Sequence, residues 1–166
     1  MVDSGRHYYL VFLGLQFPDL VIMFTGTYNQ KLDEKGRIII PSKFKADFGK
    51  KVVITNYLDG CLSIYTKDAW TKLEKKISAL PMSKKGSRDF KRFFLGSAQI
   101  VDIDNQGRVL ISAPLRQFAN LRDDVNMVGV GDHVEIWDST SWDKEYTKKG
   151  FKDSDSFAES LEDLGI

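Results

Sequence analysis

Two short segments of this 166-residue chain combine side chains that could bind a phosphate or a guanine base. The repeated residues are Asp33, Gly36 and Arg37 in the first segment and Asp104, Gly107 and Arg108, 71 positions later, in the second. An arginine on a rigid turn can present its planar guanidinium to guanine O6 and N7 or to a phosphate. The alternative is that each arginine only pairs with the aspartate of its own turn.

The spacing of these residues predicts a braced turn in both places. An aspartate accepts backbone N–H groups two residues further along, and glycine adopts the positive φ that a tight turn needs. We therefore predict that Asp33 with Gly36, and Asp104 with Gly107, brace the turns that carry the arginines. The apolar runs 38–40 and 109–111 that follow are predicted to be buried strands.

The repeat continues beyond the turns. Residues 62–70 match residues 134–142, which predicts a second strand and a helix in each unit. Thr66 and Asp138 occupy equivalent N-cap positions, and Ser112 is predicted to cap a further helix. A long helix through Trp70 and a Phe-rich helix that bears Phe90, Phe93 and Phe94 are predicted to join the two units.

This pattern gives the expected domain organisation. The predicted parts are a leader or non-native extension at 1–22, repeat units at 27–69 and 98–141, connecting helices at 70–97, and a polar acidic tail at 147–166. A unit of about 45 residues buries too little apolar surface to fold alone, so the two units should pack together as a pseudo-dimer. An extra strand or a partner-binding tail is the alternative for 1–22.

Composition argues against several classes of protein. The chain has one cysteine and two histidines, which excludes an intramolecular disulfide and makes a zinc cluster unexpected. No Ser-His-Asp or Cys-His arrangement has suitable candidates, and a phosphate-binding enzyme would need a base that the sequence does not show. Cys61 is interpreted as a half-buried structural residue. We expect no enzyme activity, cofactor, metal, small-molecule substrate or membrane span.

Basic residues concentrate around the first turn. Residues 31–51 hold seven basic and three acidic side chains, whereas residues 102–122 hold three and two. Because phosphate contacts dominate affinity for DNA, the first turn is predicted to carry recognition, and Arg108 to act mainly through stability or assembly. The predicted DNA-binding residues are Arg37, Lys35, Lys31, Lys43, Lys45 and Arg108. A second basic group, interpreted as a solvated face or as secondary phosphate contacts, comprises Lys84, Lys85, Arg88, Lys91 and Arg92.

Five segments together resemble the MraZ family of bacterial regulators over about residues 23–146. They are MFTGTYNQKLDEKGRIIIPSKFK, DGCLSIY, FKRFFLGSA, DNQGRVLI and VGVGDHVEIW. The resemblance implies a mainly β fold with helices (α+β), in which two tandem AbrB-like swapped-hairpin units form a double-split β-barrel. It also implies a ring-shaped homo-oligomer that binds short repeated promoter boxes in double-stranded DNA as a repressor of the division and cell-wall operon. Such a protein would be cytoplasmic and nucleoid-associated.

A rival interpretation is an antitoxin-like or scaffolding module that binds another protein. AbrB-like units also occur in protein–protein pairs, and the acidic tail at 147–166 is the candidate segment for such a contact. The outward face of the Phe-rich helix is predicted to leave apolar residues for assembly into a cyclic homo-oligomer.

Overall fold

The computed structural model describes residues 23–147, so the predicted leader and all but the first residue of the predicted tail lie outside the described residues. The strands are β1 Phe24–Lys31, β2 Arg37–Ile39, β3 Lys51–Asn56, β4 Leu62–Thr66, β5 Gln99–Asp102, β6 Arg108–Leu110, β7 Asp124–Gly131 and β8 Val134–Asp138. The helices are α1 Ser42–Phe48, α2 Lys67–Ser78, α3 Lys85–Phe94, α4 Ala113–Phe118 and α5 Ser139–Trp142. A 3-10 turn, Leu58–Gly60, and a π-helical turn, Asp143–Thr147, complete the described chain.

The strands form a six-stranded sheet in the order β1-β7-β8-β4-β3-β5 and a separate two-stranded ribbon of β2 and β6. All pairs are antiparallel, which confirms the mixed α+β class. The first strand of each half pairs with a strand of the other half: β1 pairs with β7, and β5 pairs with β3. The two halves therefore interleave rather than lie side by side.

The main core lies under the ribbon and draws on both halves. Ile38 and Val109, which face each other across the ribbon, are fully buried, as are the sheet residues Ile54 and Met127. Phe24 of β1 stacks on Phe48 of α1, with ring centroids 4.6 Å apart. Truncation of a fully buried aliphatic side chain costs about 2–5 kcal/mol, so the ribbon is fixed firmly to the sheet from below.

Helices α2 and α3 cover the opposite face of the sheet. Trp70 of α2 stacks on Phe94 of α3 with ring centroids 5.5 Å apart, and Phe90 and Phe93 pack against the same cluster. The prediction that the Phe-rich helix turns an apolar face outward is wrong, because Phe94 is buried and Phe90 and Phe93 are partly buried. The aromatic rings of α3 hold the connecting helices on the sheet instead.

Two of the three predicted helix caps are confirmed. The Thr66 side chain accepts a hydrogen bond from the Ala69 backbone N–H at 3.1 Å, and Asp138 accepts one from Ser141 at 3.2 Å. Ser112 does not cap α4: its hydroxyl is buried and has no hydrogen-bond partner within the described residues. Pro114 in the first turn of α4 presets φ for the helix and has no N–H to be capped.

Cys61 is fully buried rather than half-buried. Its thiol donates a hydrogen bond to the Leu58 carbonyl at 3.3 Å, and burial raises its pKa. A buried thiol with a raised pKa is a poor nucleophile, which fits a packing role. Within residues 23–147, no three His, Cys, Asp or Glu side chains are grouped to hold a metal ion, and none of the helices has the length and apolar character to cross a bilayer.

Candidate nucleic-acid interface

The first turn is built around the carboxylate of Asp33. Oδ1 accepts hydrogen bonds from the backbone N–H groups of Lys35 and Arg37, both at 2.9 Å. Oδ2 accepts the Arg37 Nε–H at 2.7 Å, and Nη2 of the same guanidinium lies 2.7 Å away. The Arg37 side-chain and backbone hydrogen bonds lower the pKa of Asp33 to about 2. The carboxylate is thus ionised and fixes the orientation of the arginine.

The second turn repeats this network. Asp104 Oδ1 accepts the backbone N–H groups of Gln106 and Arg108 at 2.9 Å each, and Oδ2 accepts the Arg108 Nε–H at 2.8 Å. The backbone hydrogen bond from Arg108 is the largest cause that lowers the pKa of Asp104. Both arginines therefore pair with the aspartate of their own turn. This pairing does not occupy Nη1 of Arg37, which has no hydrogen-bond partner within the described residues.

The ribbon brings the two arginines onto one face. Arg37 lies opposite Leu110, and Arg108 lies opposite Ile39. In an antiparallel pair, directly opposed side chains share a face, and diagonal neighbours such as these arginines lie about 7–8 Å apart. The ribbon is closed at both ends, because Ile40 N–H donates to Gly107 O at 2.9 Å and Ile111 N–H to Gly36 O at 2.8 Å.

The arginine face also carries two exposed aliphatic side chains. Ile39 is 52% exposed and Leu110 is 50% exposed, whereas Ile38 and Val109 on the other face are fully buried. The prediction that the runs 38–40 and 109–111 are wholly buried is therefore wrong at their middle residues. The outer face of the ribbon presents two arginines and two aliphatic residues related by pseudo-twofold symmetry; we call it the ribbon face (Arg37, Ile39, Arg108 and Leu110).

Each turn is flanked by a basic side chain from the other half of the chain. A Cβ at Gly36 would overlap the guanidinium of Arg116 in α4, and a Cβ at Gly107 would lie 3.0 Å from Nζ of Lys45 in α1. Both glycines have positive φ, +80° and +77°. Lys45 thus belongs in space to the second turn, and Arg116, which occupies the equivalent repeat position, belongs to the first. The prediction that the basic residues of 31–51 surround the first turn is therefore wrong for Lys45.

Two further lysines of residues 31–51 form ion pairs with aspartates of the second half of the chain. Lys31 lies 3.0 Å from Asp124 across the β1–β7 pair, and Lys51 lies 3.3 Å from Asp102 across the β3–β5 pair. All four side chains are half exposed or more, so each pair contributes little to stability. These pairs account for part of the excess of basic residues in 31–51, because two of them form ion pairs with acidic residues of the other half.

The remaining predicted residues lie on the surface. Lys35 is exposed on the first turn, and Lys43 is exposed on α1. Neither forms a salt bridge within residues 23–147, so both ammonium groups are available for a phosphate. The structure therefore brings Lys35, Arg37, Lys45 and Arg108 to the two turns, and it places Lys31 in an ion pair on the sheet.

Most of the second basic group has structural partners. Lys91 Nζ donates to the carbonyls of Ser78 and Leu80 at 2.9 Å each, at the C-terminal end of α2. Arg88 donates to the carbonyls of Met82 and Ser83 in the connecting loop. Lys85 and Arg92 both pair with Asp89. Lys91 and Arg88 thus hold the α2–α3 connection, whereas Lys85 and Arg92 remain exposed on α3, as the interpretation of a solvated face predicts.

The comparison with protein families covers both turns. The family model "MraZ protein, putative antitoxin-like" matches the chain twice, over residues 23–93 and 94–163. The chain belongs to the MraZ family. The two matches agree with the internal repeat, since each contains one of the two Asp-Gly-Arg turns.

Curated relatives extend this result to nearly the whole chain. The chain is 44% identical over 144 residues to the transcriptional regulator MraZ of Thermoanaerobacter sp., and the alignment covers 87% of this chain and all of the relative. It is 43% identical, with the same coverage, to the protein of that name from Acetivibrio thermocellus. The MraZ protein of Caldanaerobacter subterraneus is 42% identical over the same length. The MraZ resemblance predicted from the sequence is confirmed.

Proposed function

We propose that this chain is a sequence-specific DNA-binding regulator of transcription, and that the ribbon face is its DNA-reading surface. The observation that carries the proposal is the pair of arginines, Arg37 and Arg108, each partly exposed on the outer side of the ribbon and oriented by an ionised aspartate. A DNA major groove is wide enough to admit a two-stranded β-ribbon. The names of the curated relatives, transcriptional regulators, support the same conclusion.

In this proposal the arginines contact guanines. Asp33 and Asp104 hold each guanidinium along its Nε edge, which leaves Nη1–H of Arg37 for O6 or N7 of a base. A preoriented arginine loses less side-chain entropy on binding than a free one, because its planar fork is already fixed. The same aspartate thus stabilises the turn and orients the arginine for contact with a base.

Basic side chains around the ribbon face would contact phosphates. Lys35 and Lys43 have exposed ammonium groups, and Lys45 and Arg116 flank the turns. Lys31 would join them by exchanging its exposed partner Asp124 for a phosphate, because an exposed ion pair is worth less than about 1 kcal/mol. Phosphate contacts position the protein, while the arginines supply sequence preference.

The wider biological role rests on the family resemblance and on the topology. The exchange of β1 and β5 between the halves supports a double-split β-barrel made of two AbrB-like swapped-hairpin units, at 27–69 and 98–141. We propose that copies of the chain assemble into a ring that binds repeated promoter boxes and represses the division and cell-wall operon, which places it in the cytoplasm on the nucleoid. A ring would multiply a weak single contact by avidity.

The test is a binding titration with the DNA upstream of this gene against scrambled DNA, at two salt concentrations. Specific binding should survive excess scrambled competitor, whereas binding through phosphates alone would collapse as salt rises. Arg92→Ala is the matched control for the arginine variants, since it also removes an arginine paired with an aspartate, but on α3. Equal binding of both DNAs by the wild-type chain would refute the proposal.

An antitoxin-like protein-binding module is the second candidate, favoured by the description of the matching family model. In that case the module would bind another protein and not a specific DNA sequence. Substitutions on the ribbon face would then leave the preference between DNA sequences unchanged. The titration above separates the two functions, because only the DNA-binding proposal predicts that Arg37→Ala and Arg108→Ala lose preference for one sequence.

A further inference from the structure

The ribbon face exposes two aliphatic side chains that the arginines alone do not explain. Ile39 and Leu110 occupy equivalent positions in the two halves and are exposed to nearly the same degree, 52% and 50%. A single exposed aliphatic residue is ordinary in a soluble protein. Here two exposed aliphatic residues occupy equivalent positions, and each lies directly opposite an arginine of the same face. This repetition indicates a shared role.

The register fixes how these side chains would meet a bound duplex. Arg37 faces Leu110 and Arg108 faces Ile39, with Cβ atoms of opposed residues about 4.5–5.5 Å apart. Neighbouring base pairs of B-DNA lie about 3.4 Å apart along the helix axis, so that Cβ distance spans between one and two base-pair steps. An arginine that reaches a guanine edge would therefore bring the aliphatic residue opposite it to a base one or two steps away.

The chemistry of the groove then selects the contact. Hydrogen-bond donors and acceptors line the base edges of the major groove, and the 5-methyl group of thymine is the apolar feature there. Burial of Ile39 and Leu110 against polar edges would desolvate those edges without compensation, whereas a methyl group matches them. We propose that Ile39 and Leu110 are specificity-determining residues that contact thymine methyl groups beside the guanines contacted by Arg108 and Arg37.

The charge of the face argues for DNA over a second copy of this chain. Two copies stacked through this face would bring Arg37, Arg108 and the flanking Lys45 and Arg116 of both chains together. Juxtaposed like charges oppose such a contact. A duplex supplies both complements, phosphates for the cations and methyl groups for the aliphatic residues. This inference rests on the proposed DNA-reading function and refines it to a base preference.

The experiment uses the full chain and duplexes selected by it from a random-sequence library. In the tightest selected duplex, each thymine is replaced in turn by deoxyuridine, which lacks the 5-methyl group and keeps every hydrogen-bonding atom. Loss of one buried methyl contact should weaken binding about fourfold. We expect one sensitive set of positions for each aliphatic residue, and Ile39→Ala and Leu110→Ala should each abolish the sensitivity of one set only.

Matched controls come from exposed aliphatic residues elsewhere. Ile100→Ala on β5 and Leu58→Ala in the 3-10 turn alter side chains that are 64% and 55% exposed. These variants should retain the full deoxyuridine effect. Selected duplexes that bind equally well with thymine and deoxyuridine, or an effect unchanged in Ile39→Ala and Leu110→Ala, would overturn the inference and leave the DNA-reading function intact. Selection that yields no preferred sequence would overturn both.

Discussion

The two Asp-Gly-Arg turns share their geometry and differ in the two residues between the aspartate and the glycine. Both aspartates accept two backbone N–H groups at 2.9 Å and one arginine Nε–H, at 2.7 Å in the first turn and 2.8 Å in the second. Lys35 in the first turn corresponds to Gln106 in the second. The orientation of the arginine is thus kept in both halves, although the two exposed residues between the aspartate and the glycine differ.

The interleaved fold removes most of the charge difference that the sequence suggests. Residues 33–37 together with the flanking Arg116 hold three basic and two acidic side chains, and residues 104–108 together with Lys45 hold two and one. Each turn with its flanking residue therefore has a net charge of +1. The expectation that the first turn alone carries recognition loses its basis, and we expect the two turns to contribute comparably.

The largest expected effect comes from removal of either arginine. Arg37→Ala and Arg108→Ala should each weaken binding to the preferred sequence by about 1–3 kcal/mol, as loss of a base contact does, and should relax sequence preference. Competitive titration against scrambled DNA measures the change, with Arg92→Ala as the control. If Arg108→Ala bound like the wild type while Arg37→Ala lost specificity, the turns would be unequal and the original sequence-based assignment would be restored.

The next effect concerns the turn glycines. Gly36→Ala and Gly107→Ala force a non-glycine residue to positive φ, which costs about 1–2 kcal/mol of unfolding free energy. Gly36→Ala should cost more, because its Cβ would overlap the Arg116 guanidinium and lie 3.0 Å from the Ile111 carbonyl oxygen. Urea unfolding of the two variants measures the difference. A smaller loss for Gly36→Ala than for Gly107→Ala would show that Arg116 does not pack on the first turn.

A smaller effect tests the exchange of flanking charges. Arg116→Ala and Lys45→Ala should each weaken binding to all sequences and reduce the slope of log K against log salt by about 1, because one phosphate contact is lost. The two variants should behave alike, since the residues flank equivalent turns. An unchanged salt slope for Arg116→Ala, with a reduced slope for Lys45→Ala, would indicate that only one turn lies against the DNA backbone.

The smallest effect is the response of the turns to acid. The folded-state pKa of Asp33 is about 2, below its ordinary value of 3.8, so the ionised carboxylate stabilises the fold above pH 4. This stabilisation should be lost as the pH falls from about 4 towards 2, where the carboxylate becomes protonated. The unfolding free energies of the wild type and of Asp33→Asn, measured as a function of pH, should therefore converge over that interval. If the difference between the two unfolding free energies stayed constant down to pH 2, the ionised carboxylate would contribute nothing to stability.

Local features of the chain were predictable from its sequence, because their causes are local. The repeat identified the turns, and the N-caps at Thr66 and Asp138 follow from side-chain chemistry within one helical turn. Exposure of Ile39 and Leu110 was not predictable, since three consecutive apolar residues hide the period of two. Arg116 was missed as a flanking residue, although its register with Lys45 in the repeat was a usable signal. Its position depends on how the halves interleave, which no local pattern encodes.

The most direct test of the ribbon face replaces single guanines by 7-deazaguanine in a duplex that the full chain prefers. This base lacks N7, which faces only the major groove. We expect reduced affinity at two sets of guanines, with the effect at one set absent in Arg37→Ala and at the other absent in Arg108→Ala. Wild-type binding that is insensitive to N7 at every guanine, or identical profiles in the two variants, would contradict major-groove recognition by paired arginines.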